Sequence, residues 1–127
     1  FPTLKELHIY SNLTEKTAED FTDDLAALTE LRKLVIYDAG LKNIDFVSEL
    51  KKLEILDIQE NHVTDISPIK NLTHLKELNI AYNDISDFSV LYEMKNLGYL
   101  FVKGENITDE QLEELRKNLP ECEISNY

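Results

Sequence analysis

The phrase Leu53-Glu-Ile-Leu56-Asp-Ile58-Gln-Glu-Asn61 returns 22 residues later as Leu75-Lys-Glu-Leu78-Asn-Ile80-Ala-Tyr-Asn83. Equivalent starts fall at Leu4, Leu31, Leu53, Leu75, Leu97 and Leu119, the first interval being 27 residues and the later ones 22. A fixed period of this length predicts a stack, because one unit cannot bury its apolar side alone. Each unit is expected to hold one strand and one return segment. Within the phrase, positions 4 and 6 point one way and positions 3, 5 and 7 the other. The inward set is Leu7 and Ile9, Leu34 and Ile36, Leu56 and Ile58, Leu78 and Ile80, and Leu100 and Val102. The sixth copy puts Cys122 at position 4 and Ile124 at position 6. Parallel pairing would stack these side chains in two columns, roughly 4.8 Å per step.

The return segments differ between the middle and the ends. In the middle three, apolar residues recur every third place: Leu41, Ile44, Val47, Leu50; Val63, Ile66, Ile69, Leu72; Ile85, Phe88, Leu91, Met94. That spacing, with Asp45, Asp65 or Asp87 leading, predicts short 3₁₀ turns. The end copies read as helices opened by Thr17-Ala-Glu-Asp20 and Thr108-Asp-Glu-Gln111, both resembling capping boxes. Apolar stripes follow at Phe21, Leu25 and Leu28, and at Leu112 and Leu115. A longer first helix accounts for the extra residues of the first interval. Position 9 is Asn12, Ala39, Asn61, Asn83 and Glu105. A buried Asn there would bond backbone groups that the turn leaves unpaired, and Ala39, followed by Gly40, interrupts the series.

Composition narrows the function classes. The 127 residues are expected to form one domain over 1–127, and the formal charge is −12. That charge argues against nucleic acid and against an anionic membrane surface. No apolar run approaches the roughly 18 residues of a membrane span, so no membrane insertion is expected. No signal peptide is visible, and a chain opening with Phe1 reads as processed or excised. The single cysteine, Cys122, excludes an internal disulfide framework.

The stretch Leu53-Glu-Ile-Leu-Asp-Ile-Gln-Glu-Asn-His-Val-Thr-Asp-Ile-Ser-Pro-Ile-Lys-Asn-Leu resembles the 22-residue leucine-rich repeat of internalins and of the SDS22-like class. The likeness is strongest over 31–96. It implies an α/β leucine-rich-repeat solenoid: a right-handed horseshoe with a parallel six-stranded concave sheet and 3₁₀ or α-helical segments on its convex side. It further implies binding to other proteins. Internalin-like members are commonly bacterial and secreted or surface-anchored, whereas SDS22-like members include intracellular phosphatase regulators.

In that frame the outward positions form the concave surface. Two groups stand out: Tyr10 and Tyr37 with Val35 beside them, and Tyr99 and Phe101 with Ile55 and Tyr82 in reach. Exposed aromatics are common interface anchors, although Tyr and Phe are also good strand formers. Asp57, Glu60 and Glu77 form an acidic centre suited to a partner with a basic patch. Gln59 and Asn79 complete the expected contact set. The expected function is noncatalytic protein recognition through this face. The alternative is a structural segment of a larger repeat protein or a self-associating solenoid. The chain would then be a monomer or associate weakly through its N-terminal edge, which has only Phe1, Pro2 and an irregular first repeat for cover.

Catalytic chemistry finds no constellation. His8, His62 and His74 occupy repeat positions 5, 10 and 22 and face different sides, so no metal site is expected from them. Cys122 is expected in a core column as a structural thiol. Only three glycines occur, and none forms a phosphate-cradling loop. No cofactor is expected. The Asn-x-Thr triplets at Asn12, Asn71 and Asn106 follow from the repeat register itself.

Overall fold

The computed structural model describes residues 3–10, 18–104 and 107–126. Six strands pair in parallel and in chain order: β1 (Glu6–Tyr10), β2 (Lys33–Tyr37), β3 (Ile55–Asp57), β4 (Glu77–Asn79), β5 (Tyr99–Phe101) and β6 (Glu123–Ser125). Between them run 3₁₀ turns at Asp45–Glu49, Ser67–Asn71 and Ser89–Glu93. At the ends lie a 3₁₀ turn Ala18–Phe21 leading into helix α1 (Thr22–Ala26), and helix α2 (Asp109–Asn118). These segments stack in order behind the sheet, α1 against the first middle turn and α2 against the last. Asn12, Thr17, Glu105 and Asn106, like Phe1 and Pro2, lie outside the described residues.

The core follows the repeat period. Leu34 aligns with Leu56, Leu78 and Leu100, and all four are buried. Ile36, Ile58, Ile80 and Val102 form the second buried column. The three-residue spacing of the return segments closes the other side, with Leu41, Ile44, Val47 and Leu50 all at 1% exposure or less. Each such side chain contributes roughly 1.5–3 kcal/mol through burial. Leu7 and Ile9 are only half-buried, since the described residues place a neighbouring strand on one side of β1 alone.

The sixth repeat departs from the expected register. Ile124 aligns with Leu100, and Glu123 and Ser125 with Tyr99 and Phe101. Ile124 therefore holds the place expected of Cys122, two residues further along the chain. A slip of two preserves the alternation of faces, so the acidic side chain of Glu123 still points outward. Cys122 is half-buried rather than a member of the core column. It lines a recess of about 380 Å³ with Leu97, Lys117, Leu119 and Pro120. Burial, then the neighbouring Glu123 charge, pushes its thiol above the ordinary 9.0. The neutral, weakly nucleophilic form is thereby favoured at neutral pH.

The turn residues also differ in detail from the sequence reading. Asp65 and Asp87 accept the Ser67 and Ser89 backbone N–H groups at 2.9 Å each, as leading carboxylates. In the preceding repeat that place belongs to Asn43, which accepts from the Asp45 N–H at 2.7 Å. Asp45 is two positions too late in the repeat to lead. The Thr108–Gln111 capping box forms in full. The first helix is shorter than its apolar stripe predicts, and Phe21 is 41% exposed while Leu25 is buried. A five-residue helix offers scarcely more than one turn, too little to turn a whole stripe inward.

Candidate functional site: the outward face of the sheet

Strand register converts the sequence positions into rows that cross the sheet. One row reads Glu6, Lys33, Ile55, Glu77, Tyr99 and Glu123. The next reads His8, Val35, Asp57, Asn79, Phe101 and Ser125. Tyr10 aligns with Tyr37, and their ring centroids lie 6.1 Å apart at an interplanar angle of 55°. This tilted arrangement suits the quadrupoles of two aromatic rings. Tyr10 is 65% exposed and Tyr37 half-buried.

His8 extends the ring group. Its Nδ1 lies 3.2 Å from the Tyr10 hydroxyl and its Nε2 lies 3.1 Å from Glu6 Oε1. Side chains two apart in a strand share a face, so this linkage was open to inspection in the sequence. Val35, expected as an exposed neighbour, is instead buried at 7% exposure. It is a short side chain set between His8 and Asp57 in its row, where the longer groups around it exclude solvent.

In the second expected aromatic group Tyr99 and Phe101 share β5, but Ile55 is not brought beside them. Ile55 lies in the same row as Tyr99, but Glu77 stands between them on β4. Two strand spacings put the Ile55 and Tyr99 side chains about 9–10 Å apart. Tyr99 and Phe101 are half-buried on β5. Tyr82 pairs with Lys103, whose ammonium nitrogen is 5.9 Å from the ring centroid.

Asp57 is held by its own strand. Gln59 donates its backbone N–H to Asp57 Oδ1 at 3.1 Å and its side-chain amide to Oδ2 at 3.2 Å. Asn79 repeats half of this device, accepting the Ala81 N–H at 3.1 Å. Glu77 stands exposed in its row.

Position 8 of each repeat adds residues whose placement the alternating pattern does not give. Asp38, Glu60 and Tyr82 have φ of +49°, +57° and +59°, and Gly104 follows with φ +150°. The left-handed conformation is costly for side chains with a Cβ. The residue leaves the strand here, and the next one, Asn61 or Asn83, turns inward. Glu60, as hydrogen-bond acceptor and then as a charge, is the main cause holding the Tyr37 pKa above the ordinary 10.0, with burial and the charges of Asp38 and Asp57 acting in the same sense.

Among the described residues, no group of three His, Cys, Asp or Glu side chains is arranged to hold a metal ion. No helix among them is long and apolar enough to cross a membrane. Neither Tyr37, Asp57, Glu60 nor Phe101 lines the Cys122 recess, so that recess and the aromatic face are separate features.

Comparison with known proteins agrees with this architecture. Residues 29–71 and 51–93 match the family described as leucine-rich repeats in two copies. An internalin (inlF) of Listeria monocytogenes is 26% identical, with a TM-score of 0.73, over 97% of this chain and 34% of its own. Internalin C2 of the same organism is 31% identical, with a TM-score of 0.73, over 98% of this chain and 53% of its own. A repeat protein of Leptospira interrogans shares the fold at 23% identity and a TM-score of 0.67, over 98% of this chain and 37% of its own. The chain thus spans about a third to a half of the length of these proteins. No curated protein matches it. Six parallel strands, 3₁₀ returns, buried leucine columns and the matched repeats lead to one conclusion: the chain belongs to the leucine-rich-repeat family.

Proposed function

We propose that the chain is a noncatalytic protein-recognition module, formed as one domain over 1–127, that binds a protein partner through the concave sheet face. The observation that carries this reading is the exposed ring pair: Tyr10, 65% exposed, aligned against Tyr37 on a face that also offers Asp57, Glu77, Tyr99 and Phe101. Repeat solenoids use such extended concave surfaces for binding, and rigid aromatic side chains are the usual anchors. The bacterial relatives favour a bacterial source.

The test compares partner capture by wild type, by Tyr37→Ala with Phe101→Ala, and by Asp109→Asn with Glu113→Gln on α2. The ring variant is expected to lose capture by about tenfold or more, with its circular dichroism unchanged. The α2 variant should match wild type. Equal capture by the ring variant and wild type would move the interface off the concave face.

A second reading draws on β1, where Leu7 and Ile9 remain half-buried at a strand edge. That edge favours weak self-association or docking of further repeats. Sedimentation across a hundredfold dilution, showing one monomeric species throughout, would exclude self-association in that range.

A further inference from the structure

We propose that the concave face is centred on a docking position for an arginine side chain of the partner protein, seated on the Tyr37 ring and gripped by Asp38, Asp57 and Glu60. The proposal rests on the reading of that face as the binding surface and names what it would recognise there.

The charge pattern differs sharply between two parts of the molecule. At the N-terminal ends of the strands, acids and bases are matched. Glu54 sits between Arg32 at 3.1 Å and Lys76 at 3.4 Å, Glu30 meets Lys52 at 2.8 Å, and Glu6 meets Lys33 at 3.8 Å. Around Tyr37 that matching stops. Asp57 lies beside Val35, two residues before Tyr37, and the Asp38 N–H donates to the Gln59 carbonyl at 3.4 Å next to Glu60, yet among the described residues these three acids make no ion pair. Two lysines of the strand segments are engaged elsewhere, Lys33 with Glu6 and Lys103 with the Tyr82 ring.

The surroundings suit a planar cation. Tyr10 and Tyr37 offer tilted aromatic surfaces, and buried Val35 gives an apolar floor next to Asp57 in its row. Gln59 orients the Asp57 carboxylate beforehand, and each carboxylate oxygen retains acceptor capacity. A guanidinium stacks on a ring while directing several N–H donors at carboxylates, which an ammonium group cannot do. Its charge would also relieve the repulsion among three acids and draw the partner into the right orientation.

The test is a titration of the ¹⁵N-labelled protein with N-acetyl-arginine amide at constant ionic strength, read by amide chemical shifts. Saturable shifts are expected at Tyr37, Asp57, Gln59 and Glu60. Asp57→Asn with Glu60→Gln should weaken them by about tenfold, and Glu60→Gln alone by a lesser amount. Asp109→Asn with Glu113→Gln removes the same charge from α2 and should leave the affinity within about twofold. Equal losses in the two double variants, or shifts spread over Asp109–Glu114, would reduce the effect to general attraction and overturn the proposal. N-acetyl-lysine amide binding as tightly at the same residues would overturn the guanidinium assignment. Failure here, with Tyr37→Ala and Phe101→Ala still lowering partner capture, would remove the arginine position and leave the concave reading in place.

Discussion

Asn61 completes the turn of a neighbour that lacks its own asparagine: its side-chain oxygen accepts the Ala39 backbone N–H at 3.1 Å. The same oxygen accepts the Leu41 N–H at 3.0 Å, and its amide donates to the Ile36 and Ile58 carbonyls at 2.8 and 2.9 Å. Each asparagine thus serves the preceding repeat as well as its own. The Ala39 turn thus draws its side-chain support from the repeat that follows it.

Asn61→Ala should lower stability by about 3 kcal/mol, since several dry backbone groups lose partners together. Asn83→Ala should cost less, because Asn83 is half-buried where Asn61 is 4% exposed. Urea unfolding of the two variants checks the order. Equal midpoints would count against burial as the source of the difference.

The inward and outward assignments make opposite demands on stability. Leu56→Ala removes a fully buried side chain and should cost about 2–5 kcal/mol. Tyr37→Ala and Phe101→Ala lose cross-strand contacts only, and each should cost about 1 kcal/mol or less. A loss at Phe101 as large as that at Leu56 would contradict the described sheet face.

Tyr82 and Tyr99 should respond to glycine with opposite signs. At φ +59° glycine relieves backbone strain, so Tyr82→Gly should leave stability unchanged or raise it by up to about 1 kcal/mol. Tyr99→Gly, within β5, should lower it by at least about 1 kcal/mol. Thermal unfolding in one buffer decides the comparison.

Stability should fall at both extremes of pH. Glu54 is held below its ordinary 4.5 by hydrogen bonds from Arg32 and then Lys76, and Glu30 by Lys52. Asp65 is held below 3.8 by the Ser67 backbone and Asp87 by the Ser89 hydroxyl. The native state therefore binds fewer protons than the unfolded chain in acid. Its advantage is present above the unfolded values and disappears as pH falls through the depressed native ones. Tyr37 behaves inversely: its raised pKa gives stability in full below 10.0, lost as pH rises through the native value. Urea midpoints should accordingly decline on both sides of a neutral plateau. Glu60→Gln should bring the Tyr37 phenolate transition, followed by ultraviolet absorbance, to lower pH. An unmoved transition would exclude Glu60 as its main cause.

The spacing of Leu34, Leu56, Leu78 and Leu100 determined the stack, the parallel sheet and the inward columns by itself, because a period of two within a period of 22 admits few other burial schemes. It also placed Thr108 as the cap of α2, since that signal is local. Four things needed the tertiary structure. Ile124 took the place expected of Cys122 because a two-residue slip keeps every face unchanged and leaves no trace in the alternation. Val35 is buried at an outward strand position because exposure depends on neighbours from adjacent strands, which the alternation alone does not name. Tyr99 stood apart from Ile55 because distance across a sheet is counted in strands, with Glu77 between them. Asp38 and Glu60 came to act on Tyr37 through a left-handed turn and a neighbouring strand. The repeat is a rule about which side of a strand each residue occupies. What its outward residues do together is decided by neighbours about 22 positions away, a relation that packing alone creates.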